Sequence, residues 1–251
     1  MIKRKTVAVI PARLASSRLP GKVLADIHGR PLLWYVWQQV KKAARLDEVL
    51  VVTDSDEVIK VVEGWGGRTL LSSPQCRSGT ERIASVLDQI PADFILNVQG
   101  DEPLIDPKLL DSIVDTWEAS SAPVLTAVYP LASVEELFDP NIVKVVLGIH
   151  GRALYFSRSP VPYLRDVPIQ DWLSAHTFWG HIGTYGYARQ VLENYSNLPE
   201  SEIEHVERLE QLRFLDAGIE ITSIVTPYRP LAVDVPADLE NVRKILAVEH
   251  P

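Results

Sequence analysis

The sequence of 251 residues predicts an α/β fold, a mixed but mostly parallel sheet flanked by helices. Three observations lead there. In the first half, short runs rich in β-branched residues alternate with longer amphipathic stretches, the rhythm of βαβ units. The segments that concentrate charged and small residues follow directly on strand-like runs, where open parallel sheets bind their ligands. From Val124 the rhythm changes to strand-like runs with no long helix between them, which predicts a β-rich region inserted into the scheme.

Residues 6–10 form an apolar run closed by Pro11 and read as the first strand. Residues 31–44 carry apolar positions at helical spacing, with Trp34 and Trp37 destined for the core or an interface. Residues 48–53 and 94–98 repeat the strand signature, and residues 56–65, 80–90 and 107–120 supply helices between and after them. Strand-like runs at 125–129, 143–147 and 153–156 then lie close together, and the turn Ile149-His150-Gly151-Arg152 predicts a hairpin from the last two. Pro160, Pro162 and Pro168 mark an irregular loop. A strand at 181–187 precedes a single helix at 202–217 with the stripe Ile203, Val206, Leu209, Leu212 and Leu215 and Gly218 as its cap. A strand at 219–225 and a helix at 236–246 finish the chain.

A formal net charge of −8 argues against a general nucleic-acid binder, which needs a basic face to displace counterions. Any anionic ligand must be met by a local basic cluster. The lone Cys76 has no partner for an intrachain disulfide, and the apolar run after the basic Met1-Ile2-Lys3-Arg4-Lys5 is too short for a signal peptide. No stretch approaches the roughly 20 apolar residues of a membrane span. A cytoplasmic protein without a membrane partner is expected.

Three constellations carry chemistry. The first, from Pro11-Ala12-Arg13 to Arg18-Leu19-Pro20-Gly21-Lys22, places three cations and no acid after the first strand. Gly21 permits close backbone approach, and Ala15, Ser16 and Ser17 leave N–H groups accessible. Arg forks and a Lys point charge suit a polyphosphate, each charge-assisted hydrogen bond contributing about 1.5–3 kcal/mol. The spacing matches neither a Walker loop nor a GxGxxG turn. The second delivers Asp101 and Glu102 at the end of the 94–98 strand, with Asp234 after another apolar run. Asp101 with Asp234 would meet the one or two carboxylates that Mg²⁺ takes from a protein, provided the fold brings them together. Each would equally serve as the cap of the helix that follows. The third, Cys76-Arg77-Ser78-Gly79-Thr80-Glu81-Arg82, enters a helix. Ser78 or Thr80 would cap that helix with Glu81 and Arg82 solvated, or Gly79 and the hydroxyls would approach a nucleobase.

Together with Ala153-Leu154-Tyr155-Phe156-Ser157-Arg158, His181-Ile182-Gly183, Tyr185-Gly186-Tyr187, Leu209-Glu210-Gln211-Leu212-Arg213 and Val233-Asp234, these motifs resemble the 3-deoxy-manno-octulosonate cytidylyltransferase family along nearly the whole chain. The resemblance implies a Rossmann-like nucleotide-sugar transferase fold and transfer of CMP from CTP to 3-deoxy-manno-octulosonate (Kdo). It further implies Mg²⁺ as cofactor, a homodimer and a place in lipopolysaccharide assembly. One domain is expected, with residues 1–123 mainly nucleotide-binding, 124–200 a β-rich dimerisation and sugar-side insertion, and 201–251 a closing helix-strand-helix.

Carried over position by position, Arg13 and Lys22 resemble the catalytic triphosphate ligands, with Pro11, Ala12 and Arg18 in the same loop. Ser78, Gly79 and Thr80 resemble part of the cytidine pocket, and Asp101 and Asp234 the metal-binding aspartates. Gln99, Arg158, His181, Tyr185, Glu210 and Gln211 resemble the sugar-binding set. Val235 departs from the family, which usually has Thr there, and Ala188 stands where Arg is common. Sialate enzymes share the phosphate loop but lack the Gln99–Pro103 and His181–Gly183 context, so a sialic acid or 8-amino-Kdo is the alternative substrate. Ile203-Glu204-His205-Val206-Glu207 lacks the second histidine of a zinc helix and reads as a solvated face.

Overall fold

Strand β1 (Thr6–Pro11) is apolar after Thr6 because both of its faces are covered: Val7 and Val9 enter one helical layer, Ala8 and Ile10 the other. The computed structural model describes residues 4–16 and 18–249, so Met1-Ile2-Lys3 and the loop residue Ser17 lie outside the described residues. After β1 come the two-residue strands β2 (Asp26–Ile27) and β3 (Arg30–Pro31), then α1 (Leu32–Val40), β4 (Glu48–Thr53), α2 (Asp56–Gly64) and β5 (Arg68–Leu71). Next are α3 (Gly79–Ala84), β6 (Phe94–Asn97), α4 (Pro107–Ser120), β7 (Val124–Pro130) and the short α5 (Val134–Phe138). The hairpin β8 (Lys144–Leu147) and β9 (Ala153–Ser157), α6 (Trp172–Ala175) and β10 (Trp179–Ala188) follow. The chain closes through α7 (Arg189–Glu193), α8 (Glu202–Glu207), α9 (Gln211–Asp216), β11 (Ile221–Val225) and α10 (Pro236–Glu249).

The main sheet has the order β11-β7-β10-β6-β1-β4-β5. The pairs β1/β4, β1/β6, β4/β5 and β7/β11 are parallel, as βαβ units require. β10 is antiparallel to both β6 and β7, and its N-terminal end carries the β8–β9 hairpin. Gly186 gives β10 its place: a Cβ there would overlap the Phe94 ring and Ile113, and Phe94 stacks on Trp117 of α4 at 4.4 Å. Leu33, Val58 and Leu110 bring α1, α2 and α4 onto one face of the sheet, and Ile83, Leu192 and Leu212 bring α3, α7 and α9 onto the other. Among the described residues, no helix is long and apolar enough to cross a membrane.

Several boundaries move from the expected ones. The helix expected over 80–90 stops at Ala84 and continues as a single 3₁₀ turn, Leu87–Gln89. β5 was unannounced because four residues, none of them fully buried, leave little periodicity to read. The single helix expected over 202–217 is two, broken where Arg208 takes the left-handed conformation at φ 53, ψ 50. The break has a visible cause. Ser157 Oγ and Arg158 N both donate to the Glu207 carboxylate, at 2.7 and 3.0 Å, and Arg158 Nε donates to the Glu207 carbonyl at 2.9 Å. That carbonyl is thereby drawn to β9. Val206, expected in the apolar stripe, is 74% exposed. Glu204, expected on a solvated face, turns inward to Arg213 at 2.6 Å.

Candidate active site

The loop after β1 starts in register with the sheet, because Ala12 N donates to the Val52 carbonyl at 2.9 Å. Gly21, at φ 67, then opens the 3₁₀ turn Lys22–Leu24 and returns the chain toward the strand ends. Lys22 Nζ donates to Asp101 Oδ2 at 2.5 Å and to Asp234 Oδ1 at 3.1 Å, and Arg18 Nη2 lies 3.0 Å from the same Asp234 oxygen. Two segments far apart in sequence are tied here by the backbone as well, since Val233 N donates to the Asp101 carbonyl at 2.9 Å. A Cβ at Gly100 would lie 2.8 Å from the Pro11 carbonyl oxygen, so glycine lets the Asp101 turn press against the basic loop.

This geometry bears on the capping reading of the aspartates. Asp106, not Asp101, caps α4 by accepting from Lys108 N, and Asp238 accepts from the N–H groups of Asp234 and Val235 ahead of α10. The Asp101 and Asp234 carboxylates face cations instead of helix ends. One ammonium seated between two carboxylates marks a position where those oxygens hold a positive charge in common. The donor chemistry fits Mg²⁺, which takes one or two carboxylates and completes its octahedron with water and phosphate oxygens. Among the described residues no group of three or more His, Cys, Asp or Glu forms a metal cage.

Arg13, Arg18, Lys22, Ser78, Gly79 and Asp101 line one cavity of about 300 Å³, with Pro11 and Asp234 at its wall. Ser78 Oγ caps α3 by accepting from Glu81 N at 3.1 Å. Gly79 packs so closely that a Cβ would come within 3.3 Å of Pro11 and 3.4 Å of Asn97. Ala12 and Thr80 are fully buried, so they support this wall from beneath. Thr80 Oγ1 pairs with the Tyr187 hydroxyl at 3.0 Å. Arg82 is not solvated: its side chain is 3% exposed, with Nη2 donating to Asp54 Oδ2 at 2.9 Å and Nη1 to Ser72 Oγ at 2.5 Å. The pair was not legible in the sequence, since Asp54 directly follows β4 and Arg82 lies 28 residues on in α3.

A second cavity of about 330 Å³ adjoins the first through Ser78, Gly79 and Gln99, and its far side includes His181, Tyr185 and Gln211. The register of β10 shifts between Ile182 and Tyr185, and this irregularity turns the Gly183 carbonyl to accept from Gln99 Nε2 at 2.9 Å. His181 Nε2 lies 2.9 Å from Thr126 Oγ1, and the ring is enclosed by Phe156 and Tyr185. Burial pushes the imidazole down to about 3, so His181 is a neutral hydrogen-bonding group. Burial also raises the Tyr185 hydroxyl well above its ordinary value and keeps it a donor. Glu210 is raised by burial against hydrogen bonds from Ser78 and Thr80, and its Oε2 has no partner among the described residues. Arg158 is placed elsewhere. Its Nη1 donates to the Pro140 carbonyl at 2.8 Å and its Nε to Glu207, and it lines neither cavity. Glu102 contrasts with its neighbour Asp101: it is 4% exposed, and burial, with Asp101 beside it, pushes its carboxyl up to about 8.

Comparison with known proteins agrees with this arrangement. The sequence model for cytidylyltransferases matches residues 7–221. A 3-deoxy-manno-octulosonate cytidylyltransferase of Chlorobium limicola is 45% identical over 243 residues, 96% of each chain. One from Vibrio parahaemolyticus is 45% identical over 244 residues, covering 95% of this chain and 97% of its own. The solved structure of a CMP:2-keto-3-deoxy-manno-octonic acid synthetase complexed with CTP superposes with a TM-score of 0.91 at 41% identity, covering 98% of this chain and 99% of that one. A cytidylyltransferase from Leptospira borgpetersenii, at 17% identity and a TM-score of 0.65, shares the fold. With the strand-end aspartates, the basic loop and these full-length matches in agreement, the chain belongs to the 3-deoxy-manno-octulosonate cytidylyltransferase family.

Proposed function

We infer that the protein transfers CMP from CTP to the anomeric hydroxyl of Kdo, giving CMP-Kdo and pyrophosphate for lipopolysaccharide synthesis in the cytoplasm. The observation that carries this reading is the convergence of Arg13, Arg18 and Lys22 with Asp101 and Asp234 on one cavity, opening into a second, sugar-sized one. The hydroxyl oxygen attacks the α-phosphorus, the bond to the pyrophosphate oxygen breaks in line with it, and the hydroxyl proton passes to solvent. Arg13 and Lys22 neutralise charge on the triphosphate and on the leaving pyrophosphate, and Arg18 supports them. Ser78 and Gly79 hold the nucleoside. Gln99, His181, Tyr185, Glu210 and Gln211 offer a ring of donors and acceptors to a polyhydroxylated sugar. Asp101 and Asp234 are the residues that would hold Mg²⁺, which supplies charge neutralisation at the phosphates when bound.

A homodimer belongs to the same reading. Ile149 and Leu154 of the β8–β9 hairpin are 82% and 53% exposed, and Val225 of the nearby β11 is 55% exposed, an apolar surface suited to a second copy. Light scattering on the purified protein measures it, and a monomer at micromolar concentration would refute it.

The deciding assay measures pyrophosphate release with CTP and Mg²⁺ across Kdo, 8-amino-Kdo and N-acetylneuraminate. Release only with Kdo is expected, and equal release without sugar would refute the transferase reading. Asp101→Asn and Asp234→Asn should each lower turnover about 100-fold or more with the fold intact. Near-normal rates in both at saturating Mg²⁺ would overturn the metal assignment.

A further inference from the structure

Kdo carries a carboxylate, and a buried or half-buried carboxylate calls for a cationic partner. The cations of the basic loop line the nucleotide cavity, and two of them, Arg18 and Lys22, are engaged by Asp234 and Asp101. Arg158, the arginine that resemblance assigns to the sugar, has its guanidinium bound by the carbonyls of Glu207 and Pro140. Among the residues lining the sugar-side cavity the one cationic side chain is Arg208, His181 being neutral.

The backbone at Arg208 is held in place by its neighbours, and the residue is exposed. Glu207 is fastened to β9 by Ser157 and Arg158, Leu209 is 6% exposed, and Glu210 and Gln211 continue into the cavity wall. Of the nearby acids, Glu204 is taken by Arg213 and Glu207 by β9, while burial raises the carboxyl of Glu210, which lines the same cavity. No hydrogen bond or ion pair engages the Arg208 guanidinium among the described residues, so its charge is available. The turn itself makes no use of an arginine. At φ 53 and ψ 50 a glycine or asparagine is the easier residue, and an arginine there bears left-handed strain.

We propose that Arg208 is the residue that binds the carboxylate of the acidic sugar, and that Arg158 positions it by fixing Glu207. This rests on the assignment of an acidic sugar to the reaction. The test uses pyrophosphate release by the full-length enzyme with CTP, Mg²⁺ and either Kdo or its C1 methyl ester, for wild type, R208Q, R208K and R208G. Wild type should favour the acid over the ester. R208Q should raise the KM for Kdo about 10- to 100-fold, leave the KM for CTP unchanged and remove the preference for the acid. R208K should restore part of it. R208G suits the left-handed turn, so it should melt no lower than wild type and show the same kinetic loss, which separates lost contact from lost turn geometry. Wild-type KM and wild-type acid preference in R208Q and R208G would overturn the proposal while leaving the transferase reading standing. Absence of any turnover of Kdo by wild type would overturn both.

Discussion

The buried pair between Arg82 and Asp54 offers a sharp test of how the nucleotide wall is held. Arg82 is 3% and Asp54 13% exposed, and their charged atoms are 2.9 Å apart, a gross attraction of about 6 kcal/mol at an effective dielectric of about 20. Desolvation offsets much of that, so the pair itself contributes little beyond what an apolar replacement would. Removing one partner is different, because the other remains buried and uncompensated. Arg82→Met should therefore destabilise by about 3–5 kcal/mol. For a chain of this size that corresponds to a fall of about 6–20 °C in Tm. Asp54→Asn should destabilise somewhat less, since an amide oxygen still accepts a hydrogen bond from Nη2. The double variant should be less damaged than the sum of the two, by on the order of 2 kcal/mol. Urea unfolding of the four proteins, followed by tryptophan fluorescence, measures the cycle. Additivity within about 0.5 kcal/mol would refute the view that each charge is harmful chiefly when its partner is missing.

Two further outcomes concern residues of β10. Since burial pulls His181 from an ordinary 6.5 to about 3, the unfolded chain binds a proton below pH 6.5 that the folded protein refuses. Its contribution is complete above pH 6.5 and lost as pH falls toward 3, at about 1.4 kcal/mol per pH unit; between pH 6.5 and 5, His181→Gln should show a shallower loss of urea stability than wild type. Equal slopes would refute it. Gly186→Ala drives a methyl group into Phe94 and Ile113 and should lower Tm by about 2–12 °C in a thermal melt, whereas an unchanged Tm would show that β10 has slack there.

Much of this architecture could be read from sequence because it depends on local pattern. β4 and α4 fall on residues 48–53 and 107–120 as expected, one from a run of β-branched residues and the other from an amphipathic stretch. The β8–β9 hairpin was legible from its turn. The direction of β10 was not, because periodicity says which residues face the core and nothing about which way a neighbour runs. Nor was the break at Arg208, where no glycine or asparagine announces a left-handed residue and the cause is a clamp from β9. At the site, the basic loop spoke for itself, whereas Asp101 and Asp234 read equally as helix caps from their own positions and pointed to a metal only through the family resemblance; in the structure Lys22 bonds to both. Arg158 illustrates the converse. Its place in a motif pointed at the sugar, and its hydrogen bonds point at the chain.

The late arrival of β10 between β6 and β7 has a consequence for synthesis of the chain. β6 and β7 are made well before residues 179–188, and until those residues emerge each presents an unpaired row of backbone donors and acceptors beside a strongly apolar surface. Such rows adhere to one another in crowded surroundings. The strand that covers them is also the one that supplies His181, Gly183 and Tyr185 to the sugar side. Completion of the binding surface and sealing of the most adhesive strand edges are therefore a single event, and variants that loosen β10 should lose catalytic competence and soluble yield together.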